Sequence, residues 1–219
     1  MSQPIFCADD WLMIQALPPD RVVALATAAE AQGWDDIVPG LDSLSLSWNP
    51  QQRNLDAARA AAEVLIQSVH DATPCEPVAA ATLHICYDPP CAPDGDIVAE
   101  LLGLPTDAFP AWHMAQDWRV AMLGFQPGFA YLVCDAAIPD IPRLSDPRAY
   151  VEAGSVGLLG QHCGLYPHSG PGGWPIIGRI AETLFDPQAA SPALLQAGQA
   201  VRFERIDATQ LPRRTAGAA

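Results

Sequence analysis

The sequence predicts an α+β protein in which a sandwich of helices and strands is followed by a β-barrel. In the first part of the chain, segments of strand-like alternation are interspersed with segments of helical spacing. Their order is strand, helix, strand, strand, helix, strand, which predicts a split βαβ sandwich. From Trp118 onward, short apolar segments recur between Gly- and Pro-rich turns. That spacing is typical of a barrel or sandwich of short strands.

Two amphipathic helices are predicted in the first part. The first opens at the Pro18–Pro19 pair, since proline suits the first turn of a helix, and ends at Gly33. Residues spaced three and four apart form its expected inward face: Val22, Leu25 and Ala29. The same spacing predicts the inward face of the second helix: Leu55, Ala58, Ala62, Leu65 and Val69.

The strands of the first part are predicted from alternation. Residues 11–15 and 36–38 are short extended segments, and residues 43–48 place Leu44, Leu46 and Trp48 on one side. Residues 82–87 alternate again and are predicted as the last strand of the sandwich. The predicted domains are an N-terminal α/β domain over 1–82, a β-barrel domain over 83–208 and a flexible tail over 209–219.

The second part is predicted to begin with two short helices. Asp94 caps the first, which ends at Gly103, and Thr106 caps the second, which runs to Ala115. The inward residues expected for the first of these helices are Ile97, Val98, Leu101 and Leu102. Strands are then predicted over 118–123 and, at the end of the barrel, over 200–206.

Composition and charge exclude several classes of function. The chain has 219 residues and a net charge of −14, and all eleven basic residues are Arg. A strongly acidic chain without a basic run does not suit nucleic acid, and a chain without Lys offers neither a Schiff-base nor a phosphate-loop lysine. No apolar run approaches the length of a membrane span, and no secretory signal is visible, so we expect a cytoplasmic protein. The six cysteines form no regular framework and are expected to be free thiols.

Residues 122–178 concentrate Gly, Pro and aromatic residues. Glycine permits unusual backbone angles and proline fixes φ, so this segment is predicted to consist of short strands and tightly specified turns. Such turns either form barrel corners or present backbone N–H groups to a ligand. Composition favours neither reading over the other.

An ordered set of motifs in this segment resembles a known family. The motifs are GFQPGFAYL at 124–132, Pro142-Arg143, Pro147-Arg148, AGSVG at 153–157, GLYP at 164–167 and PGGW at 171–174. They are similar to those of the Kip-inhibitor family, also called allophanate hydrolase subunit 1, the 5-oxoprolinase B subunit, or carboxyltransferase domain, subdomain C and D. The resemblance implies a ferredoxin-like N-terminal domain and a cyclophilin-like β-barrel.

The resemblance also implies a non-autonomous enzyme subunit. It implies the B subunit of a 5-oxoprolinase, an ATP-dependent amidohydrolase that converts 5-oxo-L-proline to L-glutamate, and implies that this chain is inactive when alone. The implied partners are a larger protein of the allophanate hydrolase subunit 2 or 5-oxoprolinase C-subunit type, and a lactam-utilisation-type A subunit of 5-oxoprolinase. ATP is the implied co-substrate, and no metal is expected in this chain. Two alternatives stay open: an inhibitor of a sensor histidine kinase, and a biotin-dependent carboxyltransferase subunit of a urea carboxylase or allophanate hydrolase pathway.

The sequence predicts candidate substrate-binding residues, but it does not identify a catalytic residue. Arg143 and Arg148 follow prolines that fix the local backbone, and a guanidinium fork suits a carboxylate or phosphate, although both could be solvated surface residues. Trp174 could stack on a ligand or plug the barrel. His162 stands where family members usually have Gln, and Leu is common in the family at the position of Gln126. The full set is Arg119, Gly124, Gln126, Pro127, Gly128, Arg143, Arg148, His162, Tyr166, Gly172, Gly173 and Trp174.

Three further features have a second interpretation. The AGSVG segment resembles a nucleophile elbow but has Ala153 where that motif needs glycine, so a hydrolase serine is not expected. His113 is interpreted either as a proton shuttle or as a residue that satisfies a helix end. His162 and Cys163 are residue types that bind zinc, but adjacent residues of a strand point to opposite faces, so a zinc site is not expected here.

Overall fold

The computed structural model describes residues 4–70 and 79–212. By packing, the chain divides into two compact units, Met1–Val78 and Ala79–Ala219. The domain boundaries predicted at residues 82 and 208 stay predictions. Most of the predicted tail, from 213 onward, lies outside the described residues, whereas Ala208–Gln210 forms a single 3-10 turn.

The first unit is a four-stranded antiparallel sheet with two helices. The strands lie in the order β1-β2-β4-β3. Leucine and isoleucine from β2 and β4 share one core with the apolar faces of α1 and α2. In chain order the elements are β1 (Ile5–Cys7), β2 (Trp11–Ile14), α1 (Pro19–Ala29), β3 (Ile37–Pro39), β4 (Leu44–Ser47) and α2 (Leu55–His70).

The predicted helical faces are found with one exception. Val22, Leu25 and Ala29 of α1 are fully buried. In α2, Ala58 is fully buried, but Leu55 is exposed. Leu55 is the first residue of α2, and it lies outside the core that the later residues of this face enter.

The ferredoxin-like arrangement of the first unit is not confirmed. The strand predicted over 82–87 forms as Ala81–Cys86 (β5), but it pairs in parallel with the last barrel strand instead of joining the first sheet. The edge position of the first sheet is taken by β1, which pairs with β2. Alternation predicts that a segment is a strand and says nothing about its partner, and this is why the assignment of 82–87 was wrong.

The second unit contains a closed barrel of seven strands. Around the barrel the order is β10-β7-β6-β13-β5-β12-β9, and β8 pairs with β11 in a separate ribbon. The elements after β5 are α3 (Gly95–Leu101), α4 (Phe109–Met114), β6 (Trp118–Leu123), β7 (Ala130–Val133), β8 (Arg148–Val151), β9 (Ser155–Leu159), β10 (His162–Leu165), β11 (Gly170–Gly172), β12 (Ile176–Ile180) and β13 (Ala200–Arg205). A mixed α+β fold with a barrel is thus confirmed, and the cyclophilin-like assignment stays a prediction.

Helix α3 shows a narrower buried face than the sequence predicts. Val98 is fully buried and Leu102 packs against the barrel core, but Ile97 and Leu101 are exposed. A helix of two turns presents only a few residues to a barrel, so the wide apolar face is not all covered. None of the helices in the described ranges combines the length and the apolar character that crossing a membrane requires.

Alternation along β7 and β10 decides which side chains can form a site. Leu132, Cys163 and Leu165 belong to the barrel core. Their neighbours Tyr131 and His162 therefore point to the outer surface of the barrel, because successive residues of a strand face opposite sides. This outer surface carries several of the predicted site residues.

Candidate functional site

Four aromatic rings pack together against the outer face of the barrel wall and are here called the aromatic cluster: Phe129, Tyr131, Tyr166 and Trp174. Tyr131 is half-buried, and the other three rings are almost fully buried. The ring centre of Phe129 lies 4.8 Å from that of Tyr131 and 5.1 Å from that of Tyr166. Trp174 stands edge-on to Phe129 at 6.2 Å and to Tyr131 at 5.9 Å. These separations and tilts are the favoured geometry of aromatic pairs. The cluster is therefore a packed wall and not a set of independent surface residues.

Trp174 has its place because two glycines leave room for it. Gly157 of β9 lies directly opposite Gly164 of β10. A Cβ at Gly164 would come within 2.7 Å of the Trp174 ring and 2.9 Å of Phe129, and one at Gly157 would come within 3.0 Å of the Trp174 Cβ. The indole thus lies against the bare backbone of two strands. It packs on the outside of the barrel and does not plug it.

Arg143 brings a positive charge to the aromatic cluster. Burial raises the pKa of Tyr131 and of Tyr166, and the Arg143 guanidinium acts on both in the opposite direction. Within the described residues, Arg143 takes part in no ion pair or side-chain hydrogen bond. A guanidinium beside two phenol groups can bind a carboxylate or phosphate with two parallel hydrogen bonds.

Arg148 has a different environment from Arg143, although both were predicted as anion ligands. Its two terminal nitrogens donate to the two carboxylate oxygens of Asp94 at 2.8 and 2.7 Å. Asp94 also accepts the backbone N–H of Ile176 at 2.6 Å. The fork of Arg148 is thus occupied by the protein itself, and it ties β8 to the start of α3 and to β12.

Arg119 lies on β6 and has an acidic partner of its own. It donates to Asp135 at 2.9 Å, and both side chains are largely exposed. An exposed pair of this kind contributes little to stability, about 0–1 kcal/mol. The structure gives Arg119 no contact with the aromatic cluster among its described interactions.

The GFQPGF motif forms a tight loop beside the cluster. Phe125 adopts a positive φ of 71°, which is uncommon for any residue other than glycine, and its ring is 69% exposed. Gly128 also has a positive φ, and a Cβ there would come within 2.7 Å of Phe185. Pro127 lies at the exposed tip between them. Gly124 closes the loop by donating its N–H to the Phe129 carbonyl.

A glycine-rich stretch passes three of the predicted side chains in turn. A Cβ at Gly170 would lie 3.8 Å from Nε2 of Gln126, one at Gly172 would lie 2.9 Å from the Tyr166 hydroxyl, and one at Gly173 would lie 4.0 Å from the Arg143 guanidinium. The Gln126 Oε1 atom is buried and lacks a hydrogen-bond partner within the described part of the chain. The stretch thus passes close to Gln126, Tyr166 and Arg143 in succession.

His162 lines an open pocket next to the cluster. The pocket has a volume of about 620 Å³, and its lining includes Asp140, Arg143, Gln161 and His162. Burial lowers the pKa of His162, and a hydrogen bond with the Leu159 backbone raises it by less. His162 is therefore neutral near pH 7.

His113 is enclosed in the barrel and does not serve as a solvent-facing proton shuttle. Its Nδ1 lies 2.7 Å from the Tyr87 hydroxyl and its Nε2 lies 3.7 Å from the Cys163 sulfur. Burial lowers the pKa of His113 to about 3. Cys163 thus faces the interior while His162 faces outward, and the described residues contain no group of three His, Cys, Asp or Glu side chains that could hold a metal ion.

Sequence reasoning missed three residues that the structure places at or near the site. Tyr131 follows Phe129 by two positions in the GFAYL motif, and this alternation could have revealed it. Asp94 was assigned only as a helix cap, since nothing in the sequence connects it with Arg148. Asp140 belongs to no recognisable motif. The course of the loop places it with Arg143 in the lining of one pocket.

A family model matches this architecture over most of the chain. The matching model is the carboxyltransferase domain, subdomain C and D, and it covers residues 12–195. The chain belongs to this family. The matched range contains the aromatic cluster and the arginine-bearing loops described above.

Curated relatives of this carboxyltransferase-domain protein carry one name. The protein is 35% identical to the 5-oxoprolinase B subunit of Escherichia coli O157:H7 over 84% of its own length and 80% of that relative. It is 42% identical to the 5-oxoprolinase B subunit of Bacillus subtilis over 57% of its own length. The second match spans about half of the relative, 52%.

Solved structures show the same fold within longer chains. The crystal structure of TTHA0988 matches with a TM-score of 0.75 and 28% identity, covering 93% of this carboxyltransferase-domain protein but 41% of that chain. The urea carboxylase of Kluyveromyces lactis matches with a TM-score of 0.75 and 16% identity, covering 96% of this protein and 22% of that chain. At that identity the likeness to urea carboxylase concerns the fold alone.

Proposed function

We propose that this protein is the B subunit of a 5-oxoprolinase complex and that its aromatic cluster binds 5-oxo-L-proline. The observation that carries the proposal is the exposed Arg143 guanidinium, which has no acidic partner within the described residues and whose charge acts to lower the pKa of both Tyr131 and Tyr166. The names and extents of the curated relatives support the assignment.

The substrate carboxylate would bind Arg143 through charge-assisted hydrogen bonds, which are the stronger class. The five-membered ring would pack against Tyr131, which is the half-buried ring of the cluster, because Phe129 and Trp174 are almost fully buried. The hydroxyl groups of Tyr131 and Tyr166 would donate to the second carboxylate oxygen or to the lactam oxygen. Burial keeps both phenols protonated, so that they act as donors.

We assign the nucleotide to another protein of the complex. Opening a lactam at the expense of ATP requires phosphoryl transfer to an oxygen, and catalysis of that step depends on several positive groups around the phosphates. This chain contains no Lys. In the described part, Arg148 and Arg119 are engaged by Asp94 and Asp135. Of the three arginines predicted as ligands, only Arg143 is then left available. A single guanidinium suits a carboxylate better than a triphosphate, so this chain would orient the lactam while a partner supplies ATP.

Reconstitution tests the proposal. The chain would be co-expressed with a larger carboxyltransferase-like subunit and a lactam-utilisation-type subunit, and glutamate formation and ATP hydrolysis would be measured with 5-oxo-L-proline. The full complex is expected to show ATP hydrolysis that depends on 5-oxo-L-proline, and the chain alone is expected to show none. Equal activity in a complex that lacks this chain would contradict the proposal.

A further inference from the structure

The pocket next to the aromatic cluster combines three kinds of polar group. Its lining includes Arg143, Asp140 and His162, together with the apolar residues Ile141 and Leu159. No salt bridge joins Asp140 to Arg143 within the described ranges. Both charges therefore remain available to a ligand, and the ligand that suits them carries a negative group and a hydrogen-bond donor close together.

His162 adds a hydrogen-bond acceptor to this pocket. The side chain is on the outward face of β10, and burial favours its neutral form. A neutral imidazole has one N–H donor and one acceptor nitrogen, and the hydrogen bond made by the first decides where the second acts. A neutral His162 in the lining of the pocket therefore offers one acceptor nitrogen to a ligand.

We propose that this pocket is the subsite for the ring nitrogen of the substrate, where Asp140 and His162 share the single N–H of the lactam in a three-centre hydrogen bond while Arg143 holds the carboxylate. The inference rests on the proposed function. In 5-oxo-L-proline the carboxylate and the ring N–H are attached to the same carbon atom, so a residue that holds the first places the second within the same pocket. After ring opening the nitrogen becomes an ammonium group with three donors, for which a carboxylate and an imidazole acceptor are also suited.

The subsite predicts a preference that can be measured on the reconstituted complex. The probe is the lactone analogue of 5-oxo-L-proline, in which a ring oxygen replaces the N–H, and its inhibition constant is compared with the KM for the lactam. Because the lactone leaves the acceptors of the pocket unpaired, we expect the lactam to be preferred by roughly tenfold or more. In His162→Leu and in Asp140→Ala, the preference should fall to about threefold or less. His162→Gln, which keeps an acceptor oxygen, should retain part of the preference.

Asp107→Ala is the matched control, because Asp107 is exposed and has no part in the pocket. It should keep the wild-type preference. Asp140 is exposed as well, so Asp140→Ala tests the subsite even if His162→Leu does not fold. Turnover of 5-oxo-L-proline with an unchanged preference in both variants would overturn the subsite alone, and so would a wild-type complex that binds lactam and lactone equally. A complete wild-type complex without any turnover would overturn the proposed function, and the subsite with it.

Discussion

Arg148 and Asp94 form a two-pronged ion pair in which the acid is almost fully buried. The two hydrogen bonds measure 2.8 and 2.7 Å, and Asp94 is 4% exposed. The same carboxylate accepts the N–H of Ile176. One buried acid thus connects three parts of the second unit, and Arg148 serves to position β8.

Replacing Asp94 by Ala should destabilise the second unit. The change leaves the Ile176 N–H without its acceptor and Arg148 without its partner. We expect a loss of about 2–4 kcal/mol in the free energy of unfolding, limited by the partial exposure of Arg148. Urea unfolding of the full chain measures it. Asp96→Ala, at an exposed position of α3, is the control and should change stability by less than about 0.5 kcal/mol; equal effects of the two variants would contradict the role of Asp94.

Replacing Arg143 by Met should weaken substrate binding in the reconstituted complex without unfolding the chain. Charge-assisted hydrogen bonds contribute about 1.5–3 kcal/mol, so kcat/KM for 5-oxo-L-proline should fall roughly 10- to 100-fold, mainly through KM. Arg202→Met, at an exposed position of β13, should leave both constants unchanged. An Arg143→Met complex with the wild-type KM would rule out carboxylate binding by this residue.

Replacing Gly164 by Ala should displace Trp174. The new methyl group would overlap both the indole and Phe129. We expect a loss of about 1–3 kcal/mol in the free energy of unfolding, together with a change in tryptophan fluorescence. Gly95→Ala introduces the same methyl group where the nearest atom, the Ala92 Cβ, lies at an ordinary 3.6 Å. That control should be close to neutral, and a neutral Gly164→Ala would show that the indole does not depend on the paired glycines.

Stability should depend on pH through His113. Burial lowers its pKa from 6.5 to about 3 in the folded state. Between these two pH values His113 binds a proton in the unfolded chain but not in the folded one. The free energy of unfolding is therefore highest above pH 6.5 and decreases progressively as the pH falls toward 3. This group alone should lower the free energy of unfolding by about 1 kcal/mol between pH 6.5 and 5.5.

His84 acts in the opposite direction and must be removed from the comparison. A hydrogen bond with Glu182 raises its pKa, so its contribution is present at low pH and is lost as the pH rises through the folded-state pKa. The measurement is therefore made in a His84→Gln background, together with an NMR titration of the His113 ring. Titration of that ring near pH 6.5 in the folded protein would contradict the prediction.

The sequence anticipated local elements better than their partners. The inward residues of α1 and the strands around residues 44–47 and 118–123 follow from spacing, because burial on one face imposes a period on the chain. Strand β5 was also predicted as a strand, yet it was assigned to the wrong sheet. Its partner β13 lies more than a hundred residues away, and pairing at such a distance leaves no mark in local alternation.

For the candidate site too, the local motifs were predictable from the sequence and the partners of individual side chains were not. The Gly-, Pro- and aromatic-rich motifs identified the region and supplied Arg143, Tyr166 and Trp174. They could not distinguish Arg143 from Arg148, since both follow a proline in the same loop. The distinction comes from Asp94, a residue of another element that the fold brings to Arg148 alone.

Reading the residues alone was enough to predict the α+β class, the periodic faces of the helices and strands, the lack of lysine chemistry and the family. Three things became known only from the folded chain: which strands close the barrel, which of the two predicted arginines Arg143 and Arg148 is left available to a ligand, and that Cys163 instead of His162 faces the barrel interior. The difference follows from how far along the chain each interaction acts. Backbone preference and periodicity act between near neighbours, whereas ion pairs, ring packing and pocket walls are formed by residues that meet only when the chain has folded.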